Sequence, residues 1–166
     1  MLKSEMRYVL MFAATAIIIC SSGCRTKPRP KAGEGAEDIS FDKPMGNRFE
    51  TGERININFE NVLFDYDSFK IKQSEVSKID AVASYMSQNK EVVCILEGHC
   101  DERGSNEYNM SLGEQRAQSV RQQLIGLGIS SDRLQTRSYG EEKPIDPGHN
   151  EAAWQKNRRV EFALFK

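Results

Sequence analysis

The chain has 166 residues, 39% of them hydrophobic and 28% charged, enough for one domain of ordinary size plus a terminal segment and too ordinary for wholesale disorder or a polytopic membrane protein. The 23 Lys and Arg nearly cancel the 24 Asp and Glu, so the basic excess of a nucleic-acid binder is missing, and too few ten-residue alternating segments fit for a porin-type barrel. His99 and His149 are the only histidines, too few for a histidine-built metal site without added carboxylates or thiols; neither a metal nor a cofactor is expected.

Lys3 and Arg7 precede an apolar run of 13 residues, Tyr8 to Cys20. A helix of that length rises only about 20 Å against a bilayer core of roughly 30 Å, which makes it a signal h-region and not a stable span. Ser21-Ser22-Gly23-Cys24 follows and resembles a bacterial lipobox, with Ser21 in the place where an aliphatic residue is usual. Cleavage before Cys24 and acylation of its thiol are expected, with residues 1–23 as the signal peptide. The alternative is an ordinary cleaved signal with an incidental cysteine. Two or three acyl chains hold a protein firmly on a membrane, where one does so only marginally. Residues 25–53 contain three Pro and four Gly with no sustained periodicity, so 24–53 reads as the acylated cysteine and a flexible tether with an r.m.s. span of roughly 30 Å.

From Arg54 to Lys166 strands and helices alternate. Ile55, Ile57 and Phe59 alternate with polar residues and Val62-Leu63-Phe64 follows, the pattern of a strand kinked near Asn61. Residues 74–89 place Val76, Ile79, Val82, Ala83 and Met86 on one helix face, with Ser74 as candidate N-cap. Val92 to Leu96 is a continuous apolar run, expected of a central strand covered on both faces. A second helix is predicted over 111–125, opened by a Ser111–Glu114 capping box and closed by Gly126 and Gly128. Leu134 to Tyr139 is a third strand, Glu151 to Lys156 a short helix, and Val160, Phe162 and Leu164 share one face of a last strand. The order βαβαβ(α)β predicts a two-layer α/β (α+β) sandwich with helices on one side of a mixed sheet.

The stretch between the central strand and the second helix is polar and glycine-punctuated, and here the motifs become specific. EGHCDERG (97–104), EYNMSLGEQRAQSV (107–120), SYGEEKP (138–144), GHNEAAW (148–154) and NRRVEF (157–162) stand in order over about Asn58 to Phe165. In these blocks and their spacing the sequence resembles the OmpA C-terminal-like family, and within it the wall-binding lipoproteins. The resemblance implies non-covalent binding of peptidoglycan through the diaminopimelate of the stem peptide, and so an outer-membrane protein whose domain faces the periplasm and ties membrane to wall. It also implies a Tol-system role in envelope integrity and division, with a TolB-like partner.

That ligand presents an ammonium and a carboxylate on one carbon, which calls for an anion and a cation at fixed separation. Asp101 matches the family's ammonium-binding aspartate and Arg116 its carboxylate-binding arginine. Arg116 sits one turn after Leu112, and helix side chains lean toward the N-terminus, so its guanidinium is expected to reach the 98–109 loop and hold a carboxylate with two parallel hydrogen bonds. Both residues are expected to be largely exposed, and a mutual surface ion pair is the alternative. Asn109, Arg159, Asp65 and Asp67 match further positions of the family's site. His99 is expected to pack at the strand end without chemistry.

Cys94 reads as a small core residue. Cys100 stands where the family usually has Thr or Ala, and is expected on an exposed loop beside the site. There it either pairs with another chain, alters ligand fit, or serves as a tolerated isostere. The two lie some 15–20 Å apart if extended, beyond bridging distance. A wall hydrolase using Asp101 with Glu102, or His99 with Asp101, is the competing class, but adjacent residues at a strand exit point apart and no nucleophile with an oriented base is evident. A motor-stator wall anchor of the MotB type is a third reading; it requires a true transmembrane helix.

Overall fold

The computed structural model describes residues 48–166. The apolar run, Cys24 and the tether up to residue 47 lie outside the described residues. Among those described, no helix is long and apolar enough to cross a membrane.

Four strands form one mixed sheet in the order β1-β4-β2-β3. These are β1 (Val62–Leu63), β2 (Val93–His99), β3 (Leu134–Gly140) and β4 (Arg159–Phe165), interleaved with helices α1 (Arg48–Thr51), α2 (Val76–Gln88), α3 (Asn106–Gly126) and α4 (Glu151–Asn157). β2 runs parallel to β3, from Cys94 opposite Leu134 to Gly98 opposite Ser138. It runs antiparallel to β4, with Leu96 opposite Phe162. The expected α+β sandwich is the fold found.

Alternation along β2 divides the molecule. Cys94 and Leu96 face one way and join Val82, Met86, Ala117, Val120, Leu124, Phe162 and Leu164 in the main core, under α2 and α3. Val93 and Ile95 face the other way and pack with Ala163, Phe165 and Phe49. Helical cover is therefore not confined to one face: Phe49 of α1 is buried on the far side of the sheet. Phe49 belongs to the stretch read as tether, so the packed part of the chain starts earlier than residue 54. An aromatic side chain with an apolar sheet face to cover outweighs the Pro and Gly around it.

Two boundaries also differ. α3 starts at Asn106, five residues before the predicted start, because Ser105 and not Ser111 caps it: the Ser105 hydroxyl accepts from the Tyr108 amide at 3.2 Å. Ser111 lies inside the helix, and Glu114, its expected capping partner, instead accepts from Thr136 of β3 at 2.6 Å. α2 has no side-chain cap. It follows a 3-10 turn over Gln73–Glu75, and the Ser74 hydroxyl bonds the Glu75 carboxylate. Glu75 is buried, taking the Leu63 amide at 2.9 Å and Lys78 Nζ at 2.7 Å, and so ties β1 to α2.

The long kinked first strand is mostly absent. Only Val62 and Leu63 pair with β4, and Arg54 makes an isolated bridge to Phe165. Ile55 and Phe59 still pack on the core while Ile57 stays exposed. The run thus meets the β4 edge only at its two ends, where Ile55 N donates to Leu164 O at 2.9 Å and where Val62 lies opposite Val160.

α3 lies very close to β2. A Cβ on Gly98 would sit 2.0 Å from the Gly113 carbonyl oxygen, and one on Gly113 would sit 2.3 Å from Ser138 Oγ. Only two facing glycines allow this approach, and it carries the middle of α3 to the end of β2.

Candidate functional site

A cavity of about 140 Å³ opens where three pieces of chain meet. Tyr66 and Asp67 come from the loop after β1, Cys100, Asp101, Arg103 and Gly104 from the loop after β2, and Tyr108, Asn109, Leu112 and Arg116 from the first half of α3. Of the six predicted contact residues, Asp101, Arg116, Asn109 and Asp67 line it.

Arg116 is the floor. It is 1% exposed, contrary to the surface position expected. Its Nε donates to Ser68 O at 2.8 Å, Nη1 to His99 O at 2.8 Å and to Cys100 Sγ at 3.2 Å, and Nη2 to Asp65 O at 3.2 Å. All four acceptors are uncharged, so the guanidinium is fixed from behind while its charge meets no carboxylate within ion-pair distance among the described residues. Burial pushes its pKa below the usual guanidinium value, yet a guanidinium stays protonated in proteins. One N–H of its five is left uncommitted, so a free two-pronged fork is not what the cavity presents. The close approach at Gly98 and Gly113 explains the burial: with the helix that near the sheet, an inward arginine three residues later meets the carbonyls leaving β2.

Asp101, 3% exposed, was also expected at the surface. The mutual Asp101–Arg116 pair does not form. Asp101 Oδ2 instead accepts from Arg158 Nη1 at 3.0 Å and from Arg103 Nη2 at 2.7 Å, while Oδ1 accepts from the Arg103 amide at 3.1 Å and Nε at 3.3 Å. Burial alone would raise its pKa, but the hydrogen bonds from Arg103 and Arg158 outweigh it and hold the carboxyl below the usual range.

Asn109, also buried, closes the loop over the site. Its Nδ2 donates to Asp101 O and Arg103 O at 3.3 Å each and to Glu141 Oε2 at 2.6 Å. It lies in the first turns of α3 rather than at its cap. Asp67, with a left-handed φ of 52°, accepts from the Tyr108 hydroxyl and so joins the two walls. Asp65 contributes only its carbonyl: its carboxylate points to solvent and pairs with Lys72 at 3.2 Å.

Arg159 is not in the cavity. It is buried on the opposite face of the sheet, bonded to Glu161 Oε1 at 2.7 Å and to Asn157 O at 3.3 Å. The residue that reaches Asp101 is its neighbour Arg158. The signal was available: Val160, Phe162 and Leu164 were read as the inner face, and a period of two puts Arg158, not Arg159, on that side. Arg103, Tyr66 and Tyr108 were likewise not singled out. His99 lies on Arg159's side, stacked on Tyr139 with ring centroids 5.4 Å apart, and both ring nitrogens are buried without a hydrogen-bond partner. Burial, then the Arg159 charge, lowers its pKa to about 4. Glu102 turns outward to His149 and to Trp154 Nε1. Asp101, His99 and Glu102 thus face three directions.

Cys100 is buried, not exposed. Its thiol donates to Asn109 O at 3.2 Å and touches Arg116, and burial raises its pKa to about 11. A buried, protonated thiol is a poor partner for an intermolecular disulfide. Cys94 is fully buried in the core, as expected, and both thiols are free. Among the described residues no group of His, Cys, Asp and Glu is arranged to hold a metal.

Residues 63–158 match the OmpA family. The peptidoglycan-associated lipoprotein of Pseudomonas putida is 38% identical over 160 residues, covering 91% of this chain and 94% of that protein. The crystal structure of the peptidoglycan-associated lipoprotein from Burkholderia pseudomallei is similar at 36% identity and a TM-score of 0.61, covering 63% of this chain and 88% of that one. The C-terminal domain of Helicobacter pylori MotB is similar at 27% identity and a TM-score of 0.60, covering 64% of this chain and 84% of that one. With the family match covering most of the folded domain and relatives matched nearly end to end, the chain belongs to the OmpA family and, within it, to the peptidoglycan-associated lipoproteins.

Proposed function

We propose that this protein is an outer-membrane lipoprotein, held by acylated Cys24 with its domain in the periplasm, that grips peptidoglycan through the diaminopimelate of the stem peptide. The observation that carries this reading is that one small cavity holds a buried carboxylate and a buried guanidinium that are not bonded to each other. An amino acid zwitterion offers the complementary pair of charges, the ammonium to Asp101 and the carboxylate to the last free N–H of Arg116. The walls are bridged by Tyr108 and Asp67. Nothing in the cavity needs to react; binding is its whole chemistry.

The names of the relatives support wall association, and Arg25 after Cys24 supports the outer membrane, since no Asp stands there to resemble an inner-membrane retention signal. A place in a Tol system, with a TolB-like protein competing with the wall for this face and a role in cell division, rests on kinship alone. Co-sedimentation with purified sacculi tests the reading. The wild-type protein should pellet with sacculi and Arg116→Ala should stay in the supernatant. Equal pelleting of the two would contradict it.

A further inference from the structure

The Asp101 carboxylate has no vacancy. A carboxylate offers about four lone-pair sites, and all four are filled: Oδ1 by the Arg103 amide and Nε, Oδ2 by Arg103 Nη2 and Arg158 Nη1. An incoming ammonium therefore has to displace one of the two arginines. Arg158 cannot leave. It is 2% exposed and is also bonded to Phe64 O, Glu151 Oε1 and Gln155 Oε1. The Arg103 side chain is 29% exposed, lines the cavity mouth, and has a second carboxylate at hand: its Nη1 lies 3.7 Å from Glu151 Oε2.

Resting on the reading of the site as a receptor for an amino acid zwitterion, we propose that Arg103 is an internal stand-in for the ligand's ammonium. It occupies Asp101 in the free protein and slides to Glu151 when the ligand arrives. The track for that movement is built. The Arg103 guanidinium carbon sits 4.0 Å from the centroid of Tyr66 and 4.2 Å from that of Trp154, so it lies between two rings. Stacking of this kind holds a cation near both carboxylates without choosing between them. An arriving ammonium exchanges one cation for another at Asp101 and gains little there. The net affinity then comes from the carboxylate at Arg116, which makes Arg103 a determinant of specificity: a ligand with an amine alone cannot open the site profitably.

Titration of the full chain with a stem tripeptide ending in meso-diaminopimelate, and with the same peptide acetylated on its side-chain amine, tests this. Arg103→Leu should tighten the free-amine peptide about five- to tenfold, by removal of a charge-assisted competitor, and leave the acetylated peptide unchanged. Glu151→Gln should weaken the free-amine peptide, and should do nothing in the Arg103→Leu background. Arg103→Gln, which keeps a stem between the rings, should behave as Leu does if the Leu variant is poorly folded. Unchanged or weaker binding of the free-amine peptide by both Arg103 variants, with wild-type binding intact, overturns the stand-in role alone. Absence of binding by the wild-type protein overturns the zwitterion reading and this inference with it.

Discussion

Arg116→Lys keeps the positive charge but loses what fixes it. Four acceptors on two segments hold the guanidinium, and an ammonium with three donors on a flexible stem cannot span them. Arg116→Lys should therefore lose sacculus binding nearly as fully as Arg116→Ala, a drop of roughly ten- to a hundredfold in affinity; binding like wild type would mean that a positive field is enough. Asp101→Asn carries a second cost, because Arg158 is 2% exposed and would lose one of the two carboxylates that hold it, keeping only Glu151. Weakening a charge-assisted contact of this kind costs about 1.5–3 kcal/mol, which a urea melt would read. The motif located both residues, but their burial was not legible in it: exposure depends on how near α3 comes to the sheet, and that is decided by Gly98 and Gly113, two residues with no side chain to draw attention.

His99 gives the same scale a pH signature. It is neutral in the fold, with a pKa lowered to about 4, and protonates near 6.5 when unfolded. The unfolded chain thus binds the extra proton between those values, and stability falls as the pH drops from about 6.5 to 4, by up to about 3 kcal/mol. Asp101, whose pKa is depressed, contributes stability that is present above the unfolded carboxylate value and lost as the pH falls further, through its folded pKa. His99→Phe, stacked on Tyr139, should flatten the upper of these two slopes and leave the lower. Chemical melts at pH 7, 5.5 and 4 would show it; an unchanged slope between 6.5 and 4 would place the proton elsewhere.

At the scale of elements, the contact of α3 with β2 sets the site, and glycine substitutions separate packing from propensity. Gly113→Ala drives a methyl to 2.3 Å from Ser138 Oγ and should cost about 1–3 kcal/mol as an overpacked contact, with sacculus binding weakened as Arg116 moves. Gly126→Ala, with nothing within 4 Å of the new methyl, should instead stabilise α3 by about 0.5–1 kcal/mol. Paired thermal melts give the contrast, and a harmless Gly113→Ala would mean that the helix can back away freely. Element identity was readable from periodicity because β2, α2 and β4 each bury one clear apolar pattern. Boundaries were less so: Ser105 and Ser111 are both plausible caps in sequence, and only the loop that Asn109 closes selects the first. The family resemblance put Arg159 at the site, whereas the β4 alternation carried back from Val160 puts Arg158 on the inner face; the two arginines are adjacent and chemically identical.

For the whole molecule, the proposed function divides the work between a charge pair in the α+β domain, which would grip, and a lipid on Cys24, which would anchor. Cys24→Ser should abolish palmitate labelling and release the protein from membranes while leaving sacculus binding unchanged; persistent labelling would remove the anchor from Cys24. Phe49, buried against Ala163 and Phe165, puts the start of the described residues on the sheet face opposite the main core. The most direct measurement of the central claim is calorimetric titration of the protein with two stem tripeptides that differ only at their last residue, meso-diaminopimelate in one and lysine in the other. Both carry the side-chain ammonium for Asp101, and only the first carries the carboxylate for Arg116. Recognition of the zwitterion predicts that the lysine peptide binds at least about tenfold more weakly, the loss of one charge-assisted contact; equal affinities would contradict it.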